Sequence, residues 1–473
     1  MRGIVSAAAY LPHRRLQRSA ITETMGKGGG RGTRSVAGPD EDTTTMAVEA
    51  GRLALRAAES GTQPGALWFT TATPAYADKT NATAVHAALR LDGSTLAIDL
   101  GGAIRSGVGT LRAALEGAGV TLTVAADLRS GPPASPSEAA GGDAAAALLV
   151  ADGSDADLAA EYLGGASVTD EVFDHWRAPG AAHARAWEER FAESIYPALG
   201  VEAWNAALKA AELTADDVDR VAVVGTHGRS VGRLPRTLGL ADGVLADNLA
   251  GSVGNPGAAQ AALVLTALIE TAGPGQVVAL VSLADGADVL LLRVTDQAAA
   301  AGSPLSVADQ LATAVDVPYT KFLQWRGELR LEPPNRPPPD RTAAPPAHRR
   351  RDWKYGFVGS RDRSTGALHL PPARVSFEGD AVDDMDPAPM ADVPATVVTF
   401  TVDKLAYSLD PPIVFAVLDF DGGGRFPGEL TDVDPDDVAI GDRVEMTFRR
   451  LTTADGIHNY FWKARPIRGG GED

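Results

Sequence analysis

The sequence predicts a layered α/β domain followed by a small closed β barrel. Two observations carry the first part: short strands apolar on both faces alternate with helical segments, and the order strand, small-residue turn, helix, strand pair occurs twice. A third carries the second part: the last eighty or so residues are β-rich with glycine turns, and closing such strands into a barrel removes their exposed edges.

The elements run in this order. Residues 3–11 (GIVSAAAYL) form a β-compatible run that Pro12 ends, and 14–34 is basic and glycine-rich, a surface loop with Arg14, Arg15, Arg31 and Arg34 exposed. Acids and a hydroxyl at 40–43 start a helix that continues amphipathically over 45–58. Strands follow at 67–71, 95–100, 120–126 and 144–150, with a helix over 81–89. The stretch 98–111 (IDLGGAIRSGVGTL) reads as strand, crowded glycine turn and buried helix. Residues 170–213, with Trp176, Trp187, Tyr196 and Trp204, read as mostly helical. A strand at 219–224, the turn Gly254-Asn255-Pro256-Gly257, a helix over 258–271 and strands at 276–282 and 289–294 complete a second half. The spacing predicts an internal duplication of about 1–165 and 166–298.

Residues 299–354 are rich in proline and arginine and read as an extended linker. Strands at 396–402, 413–420, 426–433, 443–448 and 460–466 make up the barrel.

The bulk numbers exclude whole classes of function. The 473 residues carry 43 basic and 61 acidic side chains, a net charge of −18, which argues against nucleic acid and anionic membrane as partners. The absence of cysteine removes disulfides, thiolate metal sites and a cysteine nucleophile together. No apolar run reaches transmembrane length and no signal-peptide core opens the chain, so it reads as cytoplasmic.

The pieces AAAYLPHRRL, PDEDTTTMAVEAGRLAL, DLGGAIRSG, GGDAAAALLVADG, GNPGAAQAALVLTAL and PGQVVALVSLADGAD together resemble the thiolase-type condensing enzymes, in particular the archaeal hydroxymethylglutaryl-CoA synthases. YGFVGSRDRSTGALHLPPARV, FTVDKL, FAVLDFDGGGRF and IGDRVEMTF resemble the acyl-CoA-associated OB-fold proteins that carry a zinc ribbon before the barrel. The resemblance implies a thiolase-like duplicated α/β/α/β/α domain over 1–298, a linker over 299–354, a degenerate zinc-ribbon segment over 355–392 and an OB-fold over 393–468.

The family's chemistry needs a cysteine thiolate, a glutamate and a histidine. By local alignment these positions fall on Ile104, Ala72 and Val224, none of which ionises. His227, Ser106 and Asn255 are the remaining candidates. Each has a plainer reading: a loop histidine, a residue that caps or packs a helix start, and an asparagine that shapes its turn rather than serving an oxyanion. The ribbon's four cysteine positions fall on Asp362, Thr365, Ser376 and Gly379, so no zinc is expected. That leaves a finger either collapsed around Pro371 and Pro372 or held by its neighbours.

The resemblance then implies two alternatives. One is a non-catalytic scaffold subunit, a homodimer within a hetero-oligomer, that pairs with a separate thiolase or acyltransferase and binds coenzyme A or acyl-CoA. The other is an acyl-CoA condensing enzyme or acyltransferase that works without a covalent cysteine, with Arg105, Asn255 and His227 lining its pocket.

Overall fold

The computed structural model describes residues 1–58, 62–154, 157–187 and 189–468. The chain divides into two compact units, one of Met1–Ala37, Asp42–Thr83 and Gly93–Arg326, the other of Gly38–Glu41, Ala84–Asp92 and Gly327–Asp473. Among the described residues no helix is long and apolar enough to cross a membrane.

A nine-stranded sheet organises the first unit. In chain order its strands are β1 (Arg2–Tyr10), β2 (Ala66–Thr70), β3 (Leu96–Asp99), β4 (Thr121–Leu128), β5 (Asp143–Asp152), β6 (Ala160–Thr169), β7 (Arg220–Gly225), β8 (Val277–Leu283) and β9 (Gly286–Val294). Their spatial order is β7-β8-β9-β6-β1-β5-β4-β2-β3. Reading outward from the β1–β6 junction, the first half places β1, β5, β4 and β2, and the second half places β6, β9, β8 and β7. In each half the two outer strands of these four are parallel to each other (β2 with β4, β7 with β8), and the strand inside them (β5, β9) is antiparallel to its neighbours. The first half ends on its third strand, β3. In the second half a single parallel bridge between Val221 and Leu245 stands at that place.

The duplication is therefore present, but its boundary differs from the sequence expectation. It lies between β5 and β6, whereas residues 165 and 166 fall inside β6. Gly165 serves close packing within that strand: a Cβ there would stand 2.5 Å from the Val289 carbonyl.

Helices α1 (Thr43–Ala57) and α3 (Glu189–Ala210) cover the outer faces of the two halves, and α2 (Ser106–Glu116) and α5 (Gln260–Thr271) lie between them, with α4 (Gly228–Thr237) beside α3. Asp42 caps α1: its carboxylate accepts from the Thr45 amide while the Thr45 hydroxyl accepts from the Asp42 amide. The central helix α5 is buried nearly all round, as a helix packed against strands of both halves must be. Alternate residues of β5 (Ala144, Ala146, Leu148, Val150) join Val108, Leu111, Leu263 and Val264 in one core cluster.

Three stretches depart from the sequence reading. Between 170 and 213 the helix begins only at Glu189; before it lies a short hairpin of His175–Trp176 and Arg185–Ala186. Residues 14–36 hold two paired strands rather than a loop, and Arg34 is fully buried. Its guanidinium donates to Asp143 at 3.3 Å and Arg326 donates to the other oxygen of that carboxylate. Burial pushes the Arg34 pKa down to about 10. The first part of the expected linker is packed too. Helices α6 (Val307–Ala312) and α7 (Tyr319–Trp325) belong to the first unit. Val317, Tyr319, Phe322 and Leu323 form a cluster with Leu16, Ile21 and Val36, and Phe322 lies between the guanidinium groups of Arg34 and Arg326 at 4.9 and 5.2 Å.

In the second unit the barrel strands are Ala395–Asp403, Ile413–Phe420, Arg425–Leu430, Arg443–Ala454 and Ile457–Pro466, closed on themselves as expected. Ahead of them Val358–Asp362, Leu368–His369 and Met385–Pro389 form a three-stranded sheet.

Glu270 sits at the end of α5 with one carboxylate oxygen accepting from the Val307 amide at 3.0 Å and the other buried without a partner. Burial pushes its pKa from 4.5 up to about 7, with the Asp309 charge adding to the rise and the Val307 amide opposing it. The folded chain therefore holds this proton more tightly than the unfolded chain. Glu270's contribution is most favourable below pH 4.5 and is lost as pH rises through about 7. Glu270→Gln is expected to stabilise the protein by about 1–2 kcal/mol at pH 8 and to be neutral near pH 4, read as the wild-type-minus-variant difference in urea unfolding.

Candidate functional site

The site expected from the sequence lies where the N-terminal ends of α2 and α5 meet. Gly107, in the first turn of α2, lets the two approach: a Cβ there would stand 1.9 Å from the Ala258 carbonyl. The loops after β2 and β7 and the turn at 254–257 reach the same place, and a few hydrogen bonds fix them.

Asp127, near the end of β4 and fully buried, is the main tie. Its Oδ1 accepts from the Thr71 hydroxyl (2.8 Å), the Ala72 amide (2.7 Å) and the Thr73 amide and hydroxyl (3.1 and 3.0 Å). Its Oδ2 accepts from the Ala258 amide at 2.7 Å. Asn255 is the second tie. Its side-chain amide donates to the Gly225 carbonyl at 2.8 Å, and its oxygen accepts from the Gly257 amide at 2.9 Å. The Asn255 side chain thus ties its own turn to the end of β7.

The structure brings the aligned positions into this frame. Ala72 follows β2 and is buried, its carbonyl accepting from the Arg177 guanidinium. Val224 lies inside β7, buried among core residues. Ile104 is half-buried, in the turn just before α2. Ser106 begins α2 but does not cap it, since Arg105 holds the N-cap position and no side chain makes a capping bond. Arg105 is tied to the second half of the sheet. Its guanidinium binds both oxygens of Asp288 (2.9 and 3.3 Å) and the Asp285 and Val168 carbonyls.

His227, the N-cap of α4, is another titratable side chain at the site. It is buried, caps α4 through Nδ1, which accepts from the Ser230 amide at 3.2 Å, and stacks on Tyr196 with ring centroids 6.5 Å apart. Its Nε2 is buried with no hydrogen-bond partner. Beside it, Thr226 contacts the Asp174 carboxylate and the Tyr196 hydroxyl, each at 3.4 Å. Sequence reasoning missed Asp127 and the crossing segment at 173–177, since neither belongs to a recognisable motif.

The ribbon positions in the second unit also converge. Asp362 is buried, and its Oδ1 accepts from the Ser364 amide and hydroxyl, each at 2.7 Å, while Oδ2 has no partner. The neighbouring hydroxyls of Ser376 and Ser364 hold its carboxyl well below the usual carboxylate range. Ser376 is buried and lies 3.4 Å from His369 Nε2. A Cβ on Gly379 would stand 3.1 Å from the Thr365 methyl group. The knuckles therefore face each other without collapsing around Pro371 and Pro372, both of which are exposed. One carboxylate, two hydroxyls and a glycine do not make a tetrahedral zinc site. Among the described residues no cluster of three or more His, Cys, Asp or Glu offers another metal site.

A family profile described as the ChsH2 C-terminal OB-fold domain matches residues 389–449. The chain is 29% identical over 355 residues to the hydroxymethylglutaryl-CoA synthase of Methanosphaera stadtmanae, across 70% of this chain and all of that protein. Among solved structures, MvaS in complex with 3-hydroxy-3-methylglutaryl coenzyme A aligns with a TM-score of 0.59 at 21% identity, covering 72% of this chain and 95% of that one. An HMG-CoA synthase complexed with CoA aligns with a TM-score of 0.58 at 15% identity, covering 68% and 89%. The fold is a thiolase-like, HMG-CoA-synthase-like α/β domain joined to a ChsH2-type OB-fold barrel, as the sequence predicted.

Two outcomes follow from these geometries. Asp127→Ala strands several buried donors and is expected to cost about 3 kcal/mol or more in denaturant unfolding of the full chain, while Ile104→Val, at a half-buried turn, costs under about 1 kcal/mol. A strong zinc chelator is expected to leave the thermal transition unmoved, whereas Asp362→Ala lowers the stability of the second unit by about 2 kcal/mol. The chelator and Asp362→Ala outcomes are read by calorimetry.

Proposed function

We propose that this chain is a synthase-like subunit that binds acyl-CoA and supports the chemistry of a separate thiolase or acyltransferase. One observation carries the reading. The hydrogen-bonded frame around Asp127 and Asn255 is complete, yet the three positions where condensing chemistry needs ionisable groups are Ala72, Ile104 and Val224. A nucleophile, a proton handler and a carbonyl polariser are absent together, and Ser106 forms no hydrogen bond with a described histidine or carboxylate that would activate it.

Thioester binding is supported by the similarity to synthases whose solved forms hold coenzyme A or its hydroxymethylglutaryl ester. Pairing of two copies is supported by β3, the outermost strand of the nine-stranded sheet, whose Leu96 is exposed. In this reading the protein is part of a cytoplasmic hetero-oligomer.

A second reading, an acyl-CoA condensing enzyme without covalent capture, is favoured by His227, whose unpartnered Nε2 is free to meet a substrate carbonyl or proton.

The test is turnover with acyl-CoA substrates by the purified chain, by a thiolase encoded beside it, and by the two together. The expected result is no turnover by the chain alone, a raised rate in the mixture, and the same mixture rate with His227→Ala. Turnover by the chain alone that His227→Ala abolishes would overturn the first reading in favour of the second.

A further inference from the structure

We propose that the outward face of the ribbon's second knuckle, formed by Val375, Phe377 and Val382, is a docking surface for a separate protein whose contact site is apolar at its centre and basic at its rim. The inference deepens the companion-subunit reading above and rests on it for the identity of the partner, though not for the surface.

Ser376 lies between Val375 and Phe377. It is buried, its hydroxyl turned toward His369 and donating to the Glu378 carbonyl at 2.6 Å. Its neighbours Val375 and Phe377 are left exposed on either side of it. Val382 pairs with Val375 across an antiparallel bridge and joins the same outward face. These three apolar side chains are 60%, 74% and 61% exposed. A cluster of this kind in water is costly unless something covers it. Where a metal would ordinarily fix such a knuckle, the inward polar groups at Ser376 and Asp362 do so, and the hydrocarbon is left outside.

Phe377 has the features of an anchor. Its ring meets the His369 imidazole edge-to-face with centroids 4.5 Å apart, so its orientation is set before any partner arrives. It borders a cleft of about 630 Å³ lined also by Leu368, Leu370 and the glycine turn at 422–424. That space is wide enough for one or two side chains from a partner.

Charge selects the occupant. The stretch 375–386 holds Glu378, Asp380, Asp383, Asp384 and Asp386 and no lysine or arginine. Arg374 pairs with Asp383, and Arg363 with Asp384 and Asp386, whereas Glu378 and Asp380 form no ion pair among the described residues. An acidic rim around an apolar centre repels nucleic acid and anionic membrane. It also repels the same patch on a second copy of a chain whose net charge is −18. A protein surface with lysines or arginines around an apolar socket complements it.

The test uses the full chain. Phe377→p-benzoylphenylalanine is photo-crosslinked in cells that also produce the neighbouring thiolase, and the crosslinked peptide is sequenced. In parallel the purified thiolase is titrated calorimetrically with wild type, with Phe377→Ala and with a Glu378→Lys, Asp380→Lys double variant. The surface is supported by a crosslink into a lysine- or arginine-bearing segment of the thiolase, by binding about tenfold weaker or worse for Phe377→Ala at an unchanged melting temperature, and by a charge-reversal penalty that shrinks in high salt. Crosslinks to a second copy of this chain, crosslinks to no protein, or wild-type affinity for Phe377→Ala would each overturn it. A crosslink into a basic segment of some protein that is neither a thiolase nor an acyltransferase supports the surface and overturns the companion reading instead.

Discussion

The Asp127 carboxylate binds together loops from opposite halves of the duplicated sheet: Thr71–Thr73, which follow β2, and Ala258, at the entry to α5. Almost all its partners are backbone amides or hydroxyls in buried or part-buried positions. Leaving them unpaired costs more than any single contact in the site contributes. Asn255 does the same for the end of β7. The shape of the site therefore depends on groups that do no bond-making chemistry. Because these ties engage the Ala72 amide rather than its side chain, the residue at that position can change without disturbing the frame.

The ribbon follows the same logic in a different fold. There a single buried carboxylate, Asp362, gathers donors from its own knuckle with the second knuckle's Ser376 beside it, and Gly379 lets that knuckle pack against Thr365. A tetrahedral metal imposes geometry through four strong bonds at once. A carboxylate imposes it through several weaker, directional ones, enough for a small three-stranded sheet whose register is already set by backbone pairing. In both units a buried carboxylate holds loops in place, and in the ribbon that carboxylate, Asp362, stands at one of the aligned metal-ligand positions itself.

Much of this was legible in the sequence because its signals are local. The acids and hydroxyls before α1, the apolar runs of the strands, the glycine turn at 254–257 and the alternation in the barrel each reflect the residue's own preferences and those of near neighbours. What was not legible depends on remote partners. Arg34 sits in a basic, glycine-rich stretch that reads as exposed until Asp143, 109 residues away, is seen to bind it. Residues 299–326 have the composition of a linker, and the apolar set at Val317, Tyr319, Phe322 and Leu323 has no meaning until Leu16, Ile21 and Val36 are placed against it. Asp127 is one acid at a strand end, with nothing local to mark it. The three inert positions at 72, 104 and 224 were legible only through a resemblance, because an alanine, an isoleucine and a valine carry no signal of their own.

The frame's independence from the side chains at 72, 104 and 224 bears on how a protein of this architecture stays folded when its reactive groups are exchanged. A catalytic cysteine or histidine is usually held under desolvation that costs stability. Exchanging such groups for hydrocarbon removes that cost, and the buried ties at Asp127, Asn255 and Asp143 keep the loops where they were. The chain then keeps its layered core and the surfaces that such a fold presents to others. A buried histidine with one free nitrogen is what such a history would leave behind if the site still had a substrate to touch. A knuckle that turns its polar groups inward and its hydrocarbon outward is what it would leave behind if the fold's remaining work were contact with another protein. Both features are present, in different units, and they do not compete, because neither uses a residue that the other needs.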